Sequence, residues 1–278
     1  MMRGLPFLVR MSEGLRKPKR TAMGLDVAGQ VEAVGKKVTQ FRPGDEVFGQ
    51  RSGALAEYVR GGAKSFLVPK PAGLTFEQAA AVPMAGYTAL QGLRDRGQIK
   101  PGQRVLINGA AGGVGTFAVQ IAKAFGAHVT AVCSTRNVDM VRSIGADQLI
   151  DYTREDFTRS GQRFDLIFDV AGSRSLSDCR RVLSSAGTLV LVGPADGRRM
   201  APIVARLLAA VVSSRFASQK MLPFLAHNSK EDLVVLTELI EAGKVRPVID
   251  RTYPLSKAAE AIRYLEEGHA RGKVVITV

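Results

Sequence analysis

The sequence predicts an α/β protein that combines a doubly wound parallel sheet with a smaller β-barrel. From Pro101 onward, short and nearly continuous apolar stretches alternate with helical stretches, which is typical of a parallel sheet covered by helices on both faces. Before Pro71, short strand-like stretches are separated by Gly and Pro, as in a small β-barrel. We therefore expect a barrel domain followed by a second domain that contains the parallel sheet.

The first domain is predicted from strand-like segments followed by a helical one. Small or apolar residues alternate with polar ones in DVAGQVEAVG, and the short segments DEVFGQ and ALAEYVRG are further predicted strands. Helical spacing begins at Thr75 and continues to Gly97, with Pro83 in its middle. Because proline has no amide hydrogen and clashes with the preceding helical turn, we expect Pro83 to interrupt this segment.

The second domain is predicted from strands that are mostly separated by helices. The predicted strands are RVLING, HVTAVC, QLIDY, FDLIFDVAG and GTLVLVG. Two further helices are predicted over residues 201–226 and over EDLVVLTELIEAG, before a last helix and the strand GKVVITV. The segment 201–226 is unusually apolar for a surface helix, so it is predicted either to cover a ligand pocket as a lid or to lie in a dimer interface.

The composition limits the classes of function. The longest apolar run near the C-terminal third, Leu207–Val212, is too short to span a bilayer. The net charge of +14 is high, as in proteins that bind nucleic acids. Aromatic residues make up only 6% of the chain, Trp is absent, and no basic cluster is interleaved with aromatic residues. We therefore do not expect nucleic acid as the main partner, and a ligand that carries several phosphates also suits a basic protein.

The cysteines and the N-terminal residues bear on the compartment. Cys133 and Cys179 form neither a disulfide framework nor a metal-ligand spacing, and they are predicted to be buried thiols. The first twenty residues contain six basic residues and one acidic one, and they superficially resemble an organelle presequence. They also contain Pro6 and Pro18 and lack a sustained amphipathic period, so we interpret them as the start of a shortened domain. We expect the protein to be cytoplasmic.

A glycine-rich stretch, GAAGGVG, lies between the strand RVLING and a helical segment. In the dinucleotide fingerprint G-x-G-x-x-G, the three glycines make a tight turn, let the backbone approach a pyrophosphate, and let the helix pack on the strand. The aligned residues here are Ala110, Gly112 and Gly115. A flexible glycine loop is the alternative, but the position between a strand and the start of a helix favours a phosphate site at the helix N-terminus. We predict a dinucleotide-binding domain of the Rossmann type.

The residues after the second strand of this domain predict which dinucleotide binds. Proteins that bind NAD place Asp or Glu there to accept a hydrogen bond from the ribose 2′-hydroxyl. No acidic residue lies between His128 and Val138, where the chain instead contains Ser134, Thr135 and Arg136. An arginine binds a 2′-phosphate with charge assistance, whereas a carboxylate repels it. We therefore predict NADP(H) rather than NAD(H); for Arg136, a solvated residue at a helix start is the alternative.

Five stretches carry a resemblance to a known family. GLDVAGQVEAVG, FRPGDEVFG, AAAVPMAGYTAL, GAAGGVG and GHARGKVVITV occur in this order along the chain. They resemble the medium-chain dehydrogenase/reductase superfamily, and most closely its quinone oxidoreductase branch. The resemblance extends over essentially the whole chain. It implies a Rossmann domain over residues 99–249 together with a GroES-like barrel domain over residues 1–98 and 250–278. The family normally has more residues ahead of the first stretch than the 23 that precede Gly24 here, so we expect a barrel that is shortened at its N-terminus.

The resemblance also bears on metal and on activity. Zinc-dependent members of the superfamily have His where this chain has Leu25, and they contain a cysteine-rich lobe that this chain lacks. His128, His227 and His269, the three histidines, lie far apart in the sequence, whereas catalytic zinc needs three protein ligands. We expect no metal site. The implied activity is an NADPH-dependent, zinc-independent oxidoreductase that transfers hydride to a quinone or an activated alkene or carbonyl acceptor.

The resemblance assigns site residues by matching positions. It implies that the glycine loop holds the pyrophosphate, that Ser134 and Arg136 bind the 2′-phosphate, and that the other matching residues line the rest of the dinucleotide. It identifies no catalytic residue; Tyr58 and Tyr87 are capable of donating a proton, but we interpret both as packing residues. The predicted cofactor-binding residues are Thr88, Gly112, Gly113, Val114, Gly115, Ser134, Arg136, Tyr152, Val170, Ala171, Val192, Gly193, Arg271 and Lys273.

Two other functions are kept as alternatives. An enoyl-thioester reductase has the same cofactor and differs in its acceptor. A protein that binds NADPH without turnover, with RNA as a further ligand for its positive charge, is the alternative from another class, because the shortened N-terminal segment removes part of the barrel. The resemblance implies a homodimer as the oligomeric state.

Overall fold

The computed structural model describes residues 23–62, 65–192 and 218–278. The described chain begins with an antiparallel sheet of β1 (Asp26–Gln30), β2 (Glu46–Gln50) and β3 (Phe66–Pro69), in the order β1-β2-β3. The side chain of Phe48 in β2 is fully buried. The segment ALAEYVRG, which we predicted to be a strand, contains only bends and irregular backbone. That prediction is wrong because its alternation of apolar and polar residues is too short to outweigh the glycines on either side.

Two helices follow β3, α1 (Phe76–Ala80) and α2 (Pro83–Gln91). A capping box between Thr75 and Gln78 begins α1. Pro83 is the first residue of α2, where its missing amide hydrogen costs nothing. The predicted interruption at Pro83 is therefore confirmed. One turn of π-helix, Gly92–Arg96, extends α2.

The large sheet has six parallel strands in the order β6-β5-β4-β7-β8-β9. This order reverses direction between β4 and β7, and ligands of doubly wound sheets bind outside the carboxyl ends of the strands at such a reversal. The strands are β4 (Arg104–Asn108), β5 (His128–Cys133), β6 (Gln148–Asp151), β7 (Phe164–Asp169), β8 (Leu183–Val192) and β9 (Lys220–Phe224).

Helices and short 3₁₀ turns connect and cover the strands. The core between them contains fully buried aromatic residues such as Phe117 and Phe168. The helices are α3 (Gly113–Ala124), α4 (Val138–Ser143), α5 (Leu176–Arg181), α6 (Lys230–Glu241) and α7 (Ala258–Glu266). The 3₁₀ turns are Thr135–Asn137, Phe157–Arg159 and Leu255–Lys257.

The edge strand β9 corrects one prediction. We predicted a helix over residues 201–226, but its described C-terminal part pairs with β8 as a strand. Met221 and Phe224 are buried there, and Pro223 is tolerated because β9 lies at the edge of the sheet. Residues 221–226 are all apolar, and such a short apolar run has no period that distinguishes strand from helix, which is why the prediction failed here. Residues 201–217 of the predicted helix, and Gly193, lie outside the described residues.

The last two strands form a separate parallel pair, β10 (Ile249–Pro254) and β11 (Lys273–Thr277). The residue before β11, Gly272, bridges to Gly112 at the start of α3. The end of the chain therefore lies against the glycine-rich loop. Among the described residues, no helix combines the length and the apolar character that crossing a membrane requires.

Candidate functional site

The glycine-rich loop joins β4 to α3 at the carboxyl edge of the large sheet. Gly109 follows β4 with a φ of +90°, a conformation that favours glycine. A Cβ atom on Gly109 would lie 3.2 Å from the amide nitrogen of Ala171. The tight turn is therefore made by Gly109, and not at Ala110, which we had aligned with the first glycine of the fingerprint. The Asn-Gly pair at the end of the strand is the sequence signal for this turn.

Two further glycines of the loop have different physical roles. A Cβ atom on Gly115 would lie 2.1 Å from the carbonyl oxygen of Gly109, so only glycine lets α3 pack this closely on the loop. Gly112 precedes α3 in an extended conformation, and a Cβ atom there would meet only the Gly109 carbonyl oxygen, at 3.6 Å. The space beside Gly112 is therefore open, as a ligand that approaches the backbone requires.

The first turn of α3 presents backbone amides to this space. The amide of Thr116 makes the first hydrogen bond of the helix, to the carbonyl of Gly112 at 2.9 Å. The amides of Gly113, Val114 and Gly115 lie in the first turn, where the helix itself offers them no acceptor. The helix has twelve residues and no acidic residue in its first turn. Its partial positive charge, together with these amides, favours an anion such as a phosphate.

The segment before β11 closes one side of the loop. The amide of Gly272 donates to the carbonyl of Ala111 at 2.8 Å. Gly272 has a φ of +85°, and a Cβ atom on it would lie 2.3 Å from the carbonyl oxygen of Val248. The aliphatic part of Lys273 lies next to Gly113, because a Cβ atom on Gly113 would be 3.1 Å from Cδ of Lys273. The structure thus brings Lys273 to the predicted pyrophosphate loop.

The ammonium group of Lys273 contacts a carboxylate of the N-terminal antiparallel sheet. Nζ of Lys273 lies 3.2 Å from Oδ2 of Asp26 in β1, and both side chains are at least four-fifths buried. Oδ1 of Asp26 accepts hydrogen bonds from Nε2 of Gln50 at 2.8 Å and from the amide of Met84 at 3.1 Å. Asp26 therefore joins β1, β2, the start of α2 and β11. The sequence analysis did not single it out, although it lies in the family-like stretch GLDVAG.

Arg271 lies in the same segment and is exposed. Its backbone amide donates to Oδ2 of Asp250 at 3.0 Å, and the hydroxyl of Tyr264 donates to the same oxygen at 2.5 Å. The hydrogen bond to Asp250 raises the pKa of Tyr264, and burial adds to this shift. These contacts fix the backbone of the segment and leave the Arg271 guanidinium at the surface.

The turn after β5 contains the residues predicted to bind the 2′-phosphate. Ser134 is half-buried, and its hydroxyl oxygen accepts from Nδ2 of Asn137 at 3.1 Å. Arg136 is exposed, and its Nη2 donates to the carbonyl of His269 at 3.0 Å. Arg136 therefore links this turn to the segment that carries Arg271 and Lys273.

The end of β6 lies beside this turn. The amide of Tyr152 donates to the carbonyl of Cys133 at 3.0 Å, and the Tyr152 side chain is 57% exposed. The preceding residue, Asp151, accepts a hydrogen bond from the hydroxyl of Thr135. That hydroxyl, followed by the groups of Thr153, lowers the pKa of Asp151. The sequence analysis missed Asp151 because the carboxylate comes from the neighbouring strand.

The residues predicted at the ends of the middle strands lie at the same edge. The amides of Val170 and Ala171 donate to the carbonyl of Asn108 at 3.0 and 3.3 Å. Nδ2 of Asn108 in turn donates to Oδ1 of buried Asp169 at 2.8 Å. Val192 is the half-buried last residue of β8. These contacts place Val170 and Ala171 directly beside the turn at the end of β4.

Thr88 is buried on α2, and its hydroxyl donates to the carbonyl of Met84 at 2.7 Å. No hydrogen bond in the described residues joins it to the glycine-rich loop.

The two tyrosines that are capable of donating a proton differ in exposure. Tyr87 is fully buried, and burial, followed by the charge of Asp26, raises its pKa, as expected of a packing residue. Tyr58 is 73% exposed, so the packing role that we predicted for it is wrong.

Both cysteines are buried thiols that form no disulfide, as predicted. Burial, assisted by the charge of Asp151, raises the pKa of Cys133 to about 11. Because the thiolate is the reactive form, we expect the native protein to react with a thiol-specific reagent at pH 8 at least about 100-fold more slowly than the urea-unfolded chain. Time-resolved absorbance with a disulfide reagent checks this expectation. Equal rates in the two states would contradict it.

Within residues 23–62, 65–192 and 218–278, no group of three or more His, Cys, Asp or Glu side chains is arranged to hold a metal ion. A surface depression lined by residues such as Arg104, His128 and Asp147 lies at the amino edge of the large sheet. That edge is opposite to the glycine-rich loop, so the depression is separate from the candidate site.

Comparison with known proteins agrees with this architecture. Residues 7–135 match the family model described as alcohol dehydrogenase GroES-like domain, and residues 144–276 match the one described as zinc-binding dehydrogenase. The mitochondrial NAD(P)H oxidoreductase RTN4IP1 of Mus musculus is 38% identical over 280 residues, which cover 92% of this chain and 70% of the relative. The 2-methylene-furan-3-one reductase of Solanum lycopersicum is 37% identical, over 93% of this chain and 64% of the relative.

A solved structure, the quinone oxidoreductase from Coxiella burnetii, superimposes with a TM-score of 0.80 and 28% identity, covering 99% of this chain and 84% of that one. The predicted combination of a parallel-sheet domain with a GroES-like domain is thereby confirmed. The chain belongs to the medium-chain dehydrogenase/reductase superfamily, as a member of its quinone oxidoreductase-like branch.

Proposed function

We propose that this protein is an NADPH-dependent oxidoreductase that transfers hydride to a quinone or an activated alkene without zinc. The observation that carries the proposal is the anion-binding loop at the reversal of the strand order, with open space beside Gly112 and Lys273 next to it. The name of the mouse relative, an NAD(P)H oxidoreductase, supports the same cofactor class. The division into domains at residues 98 and 250, the homodimer and the cytoplasmic location remain predictions.

The residues at the site fit a dinucleotide. The amides of Gly113, Val114 and Gly115 would hold the pyrophosphate at the start of α3, and Lys273 would add a positive charge beside them. Val170 and Ala171 would lie under the dinucleotide at the carboxyl edge of the sheet. When bound, the reduced nicotinamide supplies the hydride.

The preference for NADPH over NADH is part of the proposal. Ser134 and Arg136 lie in the turn after β5. Tyr152, whose amide donates to Cys133, and Arg271, two residues after the His269 carbonyl that Arg136 contacts, both have exposed side chains. An arginine next to a hydroxyl suits a 2′-phosphate. The absence of an acidic residue in this turn supports the same conclusion.

The proposed acceptor class follows from the residue at the position of a zinc ligand in related enzymes. Leu25, at the position where zinc-dependent members of the superfamily have histidine, offers no group that polarises a carbonyl. A quinone or an activated alkene is electrophilic by itself, so the chain needs only to orient the acceptor and to exclude water. The tomato relative is named for an enone of this kind, and the Coxiella protein is named a quinone oxidoreductase. An enoyl thioester is the alternative acceptor.

The test is NADPH oxidation, followed at 340 nm, with a naphthoquinone, an enone and a crotonyl thioester in the presence of a metal chelator. We expect turnover with the quinone or the enone, and unchanged activity when the chelator is present. Activity that disappears with chelator and returns with zinc would contradict the zinc-independent mechanism. Preferential turnover of the thioester would favour the enoyl-thioester alternative, and NADPH binding without turnover of any acceptor would favour a binding protein.

A further inference from the structure

The turn after β5 is held by a carboxylate from the neighbouring strand. Asp151 ends β6, and in the register of the two strands it lies opposite Cys133, the last residue of β5. The carboxylate accepts a hydrogen bond from the hydroxyl of Thr135, and it accepts from the amide and the hydroxyl of Thr153 at 3.0 and 2.7 Å. Since Thr135 lies between Ser134 and Arg136, this negative charge lies directly against the turn proposed to bind the 2′-phosphate.

The negative charge of Asp151 is only partly compensated. Nε of Arg154 is 3.6 Å from Oδ2 of Asp151, and the Arg154 side chain is 76% exposed, so water screens this pair. Arg136, which follows Thr135 in the turn, donates instead to the carbonyl of His269. The hydroxyl of Thr135 also holds the pKa of Asp151 below its usual range, so the group is ionised at neutral pH.

A carboxylate at this place acts in opposite directions on the two dinucleotides. It repels a 2′-phosphate, whereas it is able to accept a hydrogen bond from a 2′-hydroxyl. A carboxylate has about four lone-pair positions, and the contacts with Thr135 and Thr153 occupy three of them. This effect could not be predicted from the sequence pattern, because Asp151 belongs to β6, whereas the dinucleotide fingerprint concerns the residue at the end of β5.

We propose that Asp151 is a specificity-determining residue that reduces the preference of this protein for NADPH over NADH. The inference rests on the proposed binding of a dinucleotide at this site. In this arrangement Arg136 favours the phosphorylated ribose, Asp151 opposes it, and the measured preference is the difference between the two effects.

The experiment measures the dissociation constants of NADPH and NADH by fluorescence titration, with the wild-type chain and with Asp151→Asn. Asparagine keeps the shape and one carbonyl acceptor but removes the charge. We expect the ratio of the NADH to the NADPH dissociation constant to rise about five- to tenfold in Asp151→Asn at low salt, and to rise less in high salt.

Asp156→Asn is the matched control. Asp156 makes the same pattern of contacts, with the amide and the hydroxyl of Thr158 at 2.9 and 2.8 Å and with Nε of Arg174 at 3.0 Å. It precedes the 3₁₀ turn Phe157–Arg159, and its hydrogen bonds go to Thr158 and Arg174, neither of which belongs to the turn after β5. We expect this variant to leave the ratio within about twofold of the wild type, since its charge is held by Arg174 and not by the turn. Asp151→Glu, which keeps the charge, is expected to stay closer to the wild type than Asp151→Asn.

An unchanged ratio in Asp151→Asn, or an equal change in Asp156→Asn, would overturn the inference. If Asp151→Asn does not fold, Asp151→Ser takes its place, since it also removes the charge and keeps a hydroxyl oxygen as an acceptor: the ratio is expected to rise by a similar factor, and an unchanged ratio would again overturn the inference. A wild-type chain that binds neither nucleotide would contradict the proposed function, whereas one that binds both with a ratio insensitive to Asp151 would contradict this inference alone.

Discussion

Replacing Gly115 with alanine is expected to abolish nucleotide binding and to destabilise the parallel-sheet domain. The new methyl group would lie 2.1 Å from the carbonyl oxygen of Gly109 and 2.7 Å from Cα of Ala110. Backbone atoms at this distance have to move, so α3 and the loop must separate. We expect the free energy of unfolding to fall by about 3 kcal/mol, at the upper end of the cost of overpacking. Urea unfolding followed by circular dichroism, together with NADPH titration, measures both effects.

Gly112→Ala is the control for this prediction. A Cβ atom on Gly112 meets nothing closer than the Gly109 carbonyl oxygen at 3.6 Å, and the extended backbone accepts alanine. We expect the unfolding free energy to stay within about 0.5 kcal/mol of the wild type, as for substitutions without a steric conflict. NADPH affinity should nevertheless fall at least about tenfold, because the methyl group occupies the space in front of the loop amides. If Gly112→Ala kept full affinity, the phosphate would not lie against this loop.

Replacing Asp26 with alanine is expected to have the second large effect. The substitution leaves three donors without their acceptor, namely Nζ of Lys273, Nε2 of Gln50 and the amide of Met84. Asp26 and Lys273 have side chains that are only 15% and 20% exposed, so water replaces the lost contacts poorly. We expect a loss of about 2–4 kcal/mol of stability, measured by urea unfolding. Asp45→Ala, which removes an exposed carboxylate that accepts from the amide of Arg42, is the matched control and should cost about 0.5 kcal/mol or less.

A double-mutant cycle separates the ion pair from the other contacts of Asp26. With Asp26→Asn and Lys273→Met, we expect a coupling free energy of about 1–2 kcal/mol, as for charged residues in direct contact. Lys273→Met should also weaken NADPH binding, since it removes the positive charge that we propose lies beside the loop amides. A coupling near zero would show that Asp26 acts through Gln50 and Met84 alone.

The sequence predicted the fold best at positions where the residue type restricts the backbone to one conformation. Pro83 interrupts a helical segment, and glycines at the end of β4 predict a loop that an ordinary side chain would disrupt. The apolar strands of the large sheet follow the same logic, because a strand buried on both faces contains few polar residues. At β9 this signal was ambiguous: residues 221–226 are all apolar, which suits a buried helix as well as a strand, and the structure shows a strand paired with β8.

The contacts between distant parts of the chain were not predictable from local pattern. Asp26 and Lys273 are almost the full chain length apart, and Asp151 reaches Thr135 only because β5 and β6 are neighbours in the sheet. Arg136 illustrates the same limit: its residue type suggested an anion, but its hydrogen bond to the carbonyl of His269 depends on where the C-terminal segment lies. Periodicity and motifs describe single elements, whereas charge partners are set by topology.

The contact between Gly112 and Gly272 has a consequence for biosynthesis. The glycine-rich loop is synthesised long before Gly272 and Lys273. The six described strands of the large sheet also precede that segment in the chain. A nascent chain is therefore expected to contain a folded sheet whose nucleotide cradle still lacks one wall. Capture of the dinucleotide is therefore expected only after Gly272 and Lys273 have left the ribosome.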